Sequence, residues 1–409
     1  MITQKYKIIF SNVVFILAIF PYVSIFHLPF EVQPWPLIIA SLFSLFLLCE
    51  DRFSIPTPLK ILALLVFYSI LTFVYLYING NADIMIGIRS LAGYISVLVF
   101  SFVGYKTFSY VKSKYYIGSI GVWLTAGLIQ LFFGVMVFLP ILTRVSTGGS
   151  RGLTSLATEP SFYATLCISL LILNEFFYLN KKYNTKFYVG IFIILLLQII
   201  LSYSGVGMML LILFAGSKLF EILFIKEEKL RKWLAFCAIV LIALSLLSFF
   251  SNKLLGDKRA GSVLKQSITN PVSLVQNDYS VSNRLMNPVV GVYGGIIESK
   301  GLGFGVGSKE KGPAPEWLSK IRGIETKFGG KIEGGLVSSV YELGFIGFVF
   351  IFTILWIVLM SIWKNKRMRP ALITSVITLF IPMFIWGSLS VPLFGYILGI
   401  HLYYLYNRE

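Results

Sequence analysis

The sequence has few charged residues and very few of the side chains that bind metal ions. Only 13% of the residues are charged, whereas a soluble domain has about 25%. The two histidines, His27 and His401, lie far apart in sequence, which excludes a histidine-rich metal site. Cys49, Cys167 and Cys237 lie in or at the ends of apolar runs, and their spacing suits neither an external disulfide nor a metal. We therefore expect no metal and no other cofactor.

Apolar residues, in contrast, are abundant, at 57% of the chain. They form runs of roughly 17–25 residues, the length of a transmembrane helix. The first run follows Lys5 and Lys7 and has no small-residue cleavage site, so we interpret it as an uncleaved helix. The sequence predicts an all-α polytopic integral membrane protein with about twelve transmembrane helices, at 8–28, 34–49, 59–78, 84–104, 117–142, 159–179, 187–201, 204–225, 231–250, 336–363, 371–387 and 389–406.

These spans divide the chain into three parts. Residues 1–250 hold helices one to nine, 251–335 form one large external loop with short helices, and 336–409 hold helices ten to twelve. The short loops alternate in charge, and one set contains Lys106, Lys112, Lys114, Lys181, Lys182, Lys186, Lys226, Lys229, Arg231, Lys232, Lys364, Lys366, Arg367 and Arg369. Because positive loops stay in the cytoplasm, this set and both termini are predicted to be cytoplasmic. The net charge of +17 thus implies no nucleic acid.

The large loop has a charge bias of its own. Between Ser251 and Gly335 it holds twelve Lys and Arg against seven Asp and Glu, a balance of +5. Long loops do not obey the charge rule, so topology does not explain this excess. A basic external surface indicates an anionic partner, either lipid head groups or a phosphate-bearing substrate.

Several charged residues lie at the outer ends of predicted spans, where ionisable groups are candidates for function. Arg144 and Arg151 precede a span that opens with Glu159-Pro160-Ser161. One interpretation is ordinary helix-start chemistry, with Thr158 as N-cap and proline in the first turn. The other is a site for a phosphorylated substrate at a helix N-terminus, where Glu159 orients or deprotonates a hydroxyl.

The remaining outer charges leave similar alternatives open. Arg89 lies five residues into its span, roughly 8 Å deep at 1.5 Å per residue, where it either serves the cavity or pairs with a carbonyl or with Glu342. Arg284 lies in the large loop, and Lys331 and Glu333, which fit a solvated face, precede the tenth span. Lys218 and Glu221, in contrast, are predicted to be a pair that reaches the cytoplasm by snorkelling.

The chemistry of these side chains is limited, since the sequence offers no Ser-His-Asp arrangement and no cofactor motif. Arginine forks bind phosphate bidentately and keep their charge at any relevant pH. A fitting reaction is one whose leaving group is a lipid pyrophosphate, stabilised by arginines as its charge develops. Sugar transfer from a polyprenyl-diphosphate carrier is such a reaction.

Four motifs resemble the O-antigen polymerases, within the superfamily of O-antigen ligases and polymerases. They are Arg151-Gly152 leading to Glu159-Pro160-Ser161, the turn Ser202–Gly207, Asn283-Arg284 followed by Asn287–Gly291 and Gly301–Gly305, and Tyr341–Gly347. With the topology, the resemblance covers nearly the whole chain. It implies a GT-C-like membrane fold in the bacterial inner membrane, with the active site facing the periplasm.

The resemblance also implies the reaction and its residues. Repeat units linked to undecaprenyl diphosphate would be joined without a metal, in contact with membrane lipids, and a chain-length regulator protein is left open as a further partner. Glu159, Arg284 and Arg151 would be catalytic, the two arginines holding the pyrophosphate. The expected substrate-binding residues are Arg89, Arg144, Ser161, Asn283, Tyr293, Glu342 and Lys331. The general base stays open, with Glu159 ahead of Glu342 and Glu333.

Two other functions fit parts of the sequence. Ligases of the superfamily carry a histidine in the large loop, and the loop here has none, which favours a polymerase. A flippase or transporter of lipid-linked sugars would handle the same pyrophosphate with arginines, but transport by rocking halves rarely needs a long external loop.

Overall fold

A computed structural model gives the structure of the chain. It describes residues 4–25, 28, 30–50, 55–80, 83–143, 152–224, 269–270, 279–308, 320–321, 324–325, 332 and 334–407. The predicted span 231–250 lies outside the described residues.

The described part of the chain is almost entirely helical. Its helices are α1 (Gln4–Ile19), α2 (Trp35–Glu50), α3 (Thr57–Ile78), α4 (Ile84–Thr107), α5 (Ser113–Phe133), α6 (Pro160–Leu179), α7 (Thr185–Leu201), α8 (Gly205–Phe224), α9 (Tyr279–Tyr293), α10 (Gly335–Leu343), α11 (Phe345–Lys364), α12 (Arg369–Ser375) and α13 (Pro392–Tyr406). Two-residue strands, β1 (Lys320–Ile321) and β2 (Ile324–Glu325), pair antiparallel in the large loop.

Five described helices are long and apolar enough to cross a membrane. They are α3, α4 with its 3₁₀ extension to Tyr110, α5, α6 and α11, with mean hydropathies from 1.6 to 2.7. Shorter apolar helices are α2, α7 and the segment Arg369–Phe384. An all-helical chain with these long apolar helices is consistent with a membrane protein.

Three predicted spans are interrupted. The span predicted at 117–142 is α5, which ends at Phe133, followed after Gly134, whose φ is +78°, by a 3₁₀ turn, Val135–Phe138. The span predicted at 336–363 is two helices, α10 and α11, broken at Gly344, whose φ is +60°. A Cβ there would lie 2.0 Å from the carbonyl oxygen of Gly301, so only glycine fits. The span predicted at 371–387 is α12 continued by a π-helical turn, Val376–Phe380, and a 3₁₀ turn, Pro382–Phe384. Apolar composition alone does not reveal such breaks.

Close packing of α4 on α13 sets the directions of the helices. A Cβ on Gly93 would lie 3.2 Å from Leu389, just before α13, and one on Gly104 would lie 2.5 Å from the carbonyl of Tyr396. The two helices therefore run parallel. Helix α6 runs the same way, because Phe176 near its end stacks on Tyr404 near the end of α13. We call the end at which α4, α6 and α13 begin the upper end, and the opposite end the lower end.

Both the first and the last described helix have a terminus at the lower end. Lys7 of α1 lies 5.6 Å from the ring centroid of Tyr110, just after α4, and pairs with Glu50 at the end of α2 at 3.2 Å. The ring of Tyr406, where α13 ends, lies 6.2 Å from that of Tyr105 near the end of α4. The lower-end connections carry the described basic residues Lys106, Lys112, Lys114, Lys181, Lys182, Lys186, Lys364, Lys366, Arg367 and Arg369. One end of the bundle is thus strongly basic.

Candidate functional site

Glu159 forms the entrance to α6 at the upper end. Pro160 is the first helical residue, where its fixed φ and missing N–H cost nothing. Glu159 itself has extended backbone and is half-buried. Its carboxylate makes no capping hydrogen bond to the described amides of α6, and Ser161 Oγ approaches Glu159 Oε2 at 3.5 Å. The side chain is therefore not used to begin the helix.

The predicted N-cap at Thr158 is wrong, because the helix begins one residue later. The Thr158 hydroxyl is buried and has no hydrogen-bond partner among the residues that the structure describes. A buried hydroxyl without a partner is costly. The residue before Glu159 thus has a buried hydroxyl without a described partner, and both residues directly precede α6.

A glutamine with no predicted role holds this entrance in place. Gln130 Oε1, on α5, accepts hydrogen bonds from the amides of Thr154 at 2.9 Å and Ser155 at 2.7 Å. Ser155 Oγ donates to the carbonyl of Trp123, also on α5, at 2.7 Å. The segment 152–159 is therefore fixed to α5. The signal in the sequence was one glutamine inside an apolar run.

Gly152 brings into contact two of the four motifs that resemble the O-antigen polymerases. Its φ is +102°, and a Cβ there would lie 2.2 Å from the carbonyl oxygen of Ser202. The amide of Leu153 donates to the carbonyl of Leu201 at 3.0 Å. The turn that follows α7 and the segment that leads to Glu159 are thus joined through their backbones, an approach that only glycine permits.

Arg89 lies on the second turn of α4. The helix begins after Asp83, whose carboxylate caps the amides of Met85 and Ile86. The Arg89 guanidinium is exposed and lies over the ring of Phe30, 5.4 Å from its centroid. Phe30 belongs to the α1–α2 connection.

The α1–α2 connection also reaches the start of α6. Tyr22 of this connection stacks on Phe162, three residues after Glu159, with centroids 5.7 Å apart. One loop therefore packs beside both Arg89 and the entrance to α6.

Arg284 reaches the upper end through α9. The half-buried guanidinium lies 6.0 Å from the ring of Trp386, in the segment that leads to α13. One turn further, Asn287 Nδ2 donates to the carbonyl of Ile385 at 3.2 Å. Pro288 is inside α9, and the helix passes into a π-helical turn at Gly294. The exposed Tyr293 ends α9.

Glu342 lies beneath this end and is 1% exposed. Its Oε1 accepts from Ser90 Oγ at 2.8 Å and from the amide of Gly307 at 2.8 Å, and its Oε2 accepts from Tyr94 OH at 2.7 Å. One carboxylate thus connects α10, α4 and the glycine-rich segment. In this arrangement it is enclosed by its own donors and does not face an open surface.

The glycine-rich segment 301–307 closes the end of α10. The amides of Phe304 and Gly305 donate to the carbonyls of Tyr341 and Glu342, at 2.9 and 2.8 Å. Gly303 has a φ of +76°, and a Cβ there would lie 2.5 Å from the Glu342 carbonyl. The repeated glycines thus serve a helix C-terminus.

The predicted site residues are distributed as follows. Glu159, Ser161, Arg89, Arg284 and Tyr293 all lie at the upper end, with Glu342 buried below them. Asn283 is in α9, but its side chain lies outside the described part, as do Arg144, Arg151, Lys331 and Glu333. Within the described ranges, no group of three or more His, Cys, Asp or Glu is placed to hold a metal ion.

The interpretation of Lys218 and Glu221 as a snorkelling pair is wrong. Both are buried, at 5% and 2% exposure, and the Lys218 ammonium lies 2.9 Å from Glu221 Oε1. Lys218 also forms an ion pair with Glu175 of α6, which is 1% exposed. The spacing of Lys218 and Glu221 on α8 predicted their contact, but no local sequence pattern predicts the partner on another helix, Glu175.

Lys182 shows how the lower end is closed. Its ammonium donates to the carbonyls of Phe108, at 2.9 Å, and Val111, at 2.7 Å, just after α4. It also lies over the rings of Phe108 and Phe177. Burial lowers the pKa of Lys182 to about 8. This loop lysine therefore fastens the α6–α7 connection to the end of α4.

Comparisons with known proteins do not identify a family. No family model matches the sequence, and no curated protein is significantly similar to it. What the residues and their geometry support is a helical protein of membrane character with a charged upper end.

Proposed function

We propose that this protein is a membrane glycosyltransferase that polymerises oligosaccharide repeat units linked to undecaprenyl diphosphate, as O-antigen polymerases do. The observation that carries the proposal is the upper end of the bundle. There Glu159, Arg89 and Arg284, from distant parts of the sequence, lie at the same end of a helical protein with long apolar helices. Charges at the edge of membrane helices are costly without a function.

In the proposed reaction, a hydroxyl of the acceptor unit attacks the anomeric carbon of the donor chain. The new glycosidic bond forms as the bond from that carbon to the diphosphate oxygen breaks, and the polyprenyl diphosphate leaves with the bonding electrons. Glu159 accepts the hydroxyl proton, which its carboxylate can do because helix capping does not occupy it. Arg284, with Arg151 by resemblance, stabilises the charge on the leaving diphosphate.

The other upper-end residues fit supporting roles. Arg89, Ser161 and Tyr293 would contact substrate, together with Arg144, Asn283 and Lys331 by resemblance. Glu342 would act as a positioning residue, because its carboxylate is enclosed by Ser90, Tyr94 and Gly307. The proposed membrane topology has twelve spans and a GT-C-like fold, with the basic lower end and both termini in the cytoplasm and the upper end facing the periplasm of a bacterial inner membrane.

The test uses purified protein in nanodiscs with one synthetic polyprenyl-diphosphate repeat unit, with products separated on a gel. A ladder of products with release of polyprenyl diphosphate is expected. Glu159→Gln and Arg284→Lys should lower the rate of extension at least tenfold. Glu50→Gln and Arg367→Lys, which change the same residue types at the lower end, are the matched controls and should keep the wild-type rate. Normal ladders from both upper-end variants would contradict the assignment.

A flippase or transporter of lipid-linked sugars is the second candidate. The buried ion pairs of Lys218 with Glu175 and Glu221 favour it, because charged groups inside helix bundles often belong to transport pathways. The two functions differ in where single lipid-linked units accumulate in a deletion strain. Lectin labelling of intact spheroplasts would find them outside if a polymerase is missing, and inside if a transporter is missing.

A further inference from the structure

The strongest unexplained feature lies in the lower half of the bundle. Lys218 of α8 contacts two carboxylates, Glu175 of α6 and Glu221 of its own helix. Thr374 of α12 completes the cluster: it accepts from the Lys218 ammonium at 3.0 Å and donates to Glu221 Oε1 at 2.7 Å. Two carboxylates on one ammonium in an apolar interior repel each other, and sharing a proton relieves that repulsion.

A buried histidine lies on the next residue of the same helix. Ser375 Oγ is 2.7 Å from His401 Nε2, and Ser361 Oγ of α11 is 2.6 Å from His401 Nδ1. The ring is fully buried, and its edge faces Phe176, the neighbour of Glu175, at 6.5 Å between centroids. The histidine and the carboxylate cluster therefore contact consecutive residues on both α6 and α12.

The two serines can hydrogen-bond to the ring of His401 in both its neutral and its charged form. Each hydroxyl also contacts a backbone carbonyl, Ser361 that of Val358 and Ser375 that of Leu372, both at 2.7 Å. When both hydroxyls donate to those carbonyls, both serine oxygens accept from a doubly protonated ring. When one hydroxyl turns to donate to the ring, the neutral imidazole is satisfied instead. Neither state leaves a ring nitrogen without a partner.

We propose that Glu175, Glu221 and His401 form a buried site that binds one exchangeable proton. The proton is held either between the two carboxylates on Lys218 or on the imidazole, and the consecutive residues Thr374 and Ser375 of α12 each contact one of these two positions. The π-helical turn that begins at Val376 follows directly, and such turns often occur at functional sites. This inference does not depend on the transferase activity proposed for the upper end.

Among the residues that the structure describes, the other titratable groups that face the site are tyrosines. Tyr183, before α7, donates to Asn174 next to Glu175, and burial together with the charge of Glu175 raises its pKa. Tyr188 of α7 accepts from Asn174 Nδ2 through its carbonyl. Tyr404 of α13 stacks on Phe176 and contacts Asn180.

The test counts the protons on the full-length protein in detergent at neutral pH by two spectroscopic measurements. Infrared difference spectroscopy detects the carbonyl stretch of a protonated carboxylic acid. Nitrogen NMR of histidine-labelled His27→Gln protein, in which His401 is the remaining histidine, reports whether the ring is neutral or charged. We expect one proton in the wild-type protein. In the first case the ring of His401 is neutral and a protonated acid is detected, whose signal is lost in Glu175→Gln and in Glu221→Gln. In the second case the ring is charged and no such acid is detected.

Controls separate this site from other buried carboxyl groups and from misfolding. Glu342→Gln should leave the acid band unchanged, because that carboxylate belongs to the upper end. Ser375→Ala removes a hydroxyl beside the ring but keeps every charge, and should move the proton fully to the carboxylates. If the wild-type protein shows neither a protonated acid that responds to Glu175 or Glu221 nor a charged ring, or shows both at once, the proposal is overturned.

Discussion

The carboxylate of Glu342 should contribute more to stability than any other acidic side chain at the upper end. Its three donors, Ser90, Tyr94 and the amide of Gly307, come from two separate parts of the chain. A hydrogen bond to a charged group contributes about 1.5–3 kcal/mol. Three bonds at the lower limit give about 4.5 kcal/mol, the loss expected in the free energy of unfolding for Glu342→Ala.

Glutamine at this position should cost less. The amide oxygen of Glu342→Gln still accepts from Ser90 and Gly307, but the amide nitrogen faces the Tyr94 hydroxyl, which must turn its hydrogen away. Losing one of the three bonds predicts a destabilisation of about 2 kcal/mol. The ratio of the losses in unfolding free energy for Glu342→Ala and Glu342→Gln therefore tests whether the hydrogen bonds, rather than the volume of the side chain, hold α10 to α4.

The measurement is equilibrium unfolding by SDS titration in mixed micelles, followed by circular dichroism. Glu159→Ala is the matched control, since within the described ranges the contact of that half-buried carboxylate is one of 3.5 Å to Ser161. It should change the free energy of unfolding by less than about 0.5 kcal/mol. If Glu342→Ala unfolds within about 1 kcal/mol of the wild type, as the control should, the reasoning about this carboxylate is refuted.

Three further predictions concern other parts of the fold. Gln130→Leu leaves buried amides of the segment 152–159 unpaired, so hydrogen–deuterium exchange of that segment should accelerate at least tenfold; unchanged exchange would show that Gln130 does not hold it. Lys182 has a pKa of about 8 in the folded protein, so between pH 8 and its ordinary pKa of 10.5 the unfolded chain binds more protons, and the free energy of unfolding should rise with pH. Lys182→Met should abolish this rise. An equal rise in the wild type and in Lys182→Met would show that another group causes it. Gly303→Ala should lower the Tm by several degrees more than Gly80→Ala, because both have positive φ but only Gly303 lacks space for a Cβ; equal shifts would contradict this.

Helix positions were largely predictable from the sequence because they depend on local chemistry. Apolar runs gave the helices, and residues such as Asp83 and Pro160 fixed where they begin. The break at Gly344 was not predicted, since a glycine between apolar residues is compatible with a continuous helix. Its effect arises from the Gly301 carbonyl, which belongs to a distant segment.

The candidate site was predictable only in part for the same reason. Charges in apolar surroundings singled out Glu159, Arg89 and Arg284, and the helix directions place all three at the upper end. The sequence did not reveal that Gln130 fixes the segment before Glu159, nor that Lys218 is buried against Glu175. In both cases the partner lies on another helix, and a single sequence contains no signal for pairing between helices.

The contact between α4 and α13 has a consequence for the biogenesis of the protein. Gly104 and Gly399 let these helices approach so closely that neither position has space for a side chain. Helix α4 ends at Thr107 and its partner begins only at Pro392, so the ribosome synthesises most of the chain before the partner exists. Until then the glycine face of α4 must be covered by lipid, by the insertion machinery or by a temporary neighbour. This contact therefore forms late in synthesis, and a pause or truncation before α13 should leave helices inserted in the membrane but not assembled.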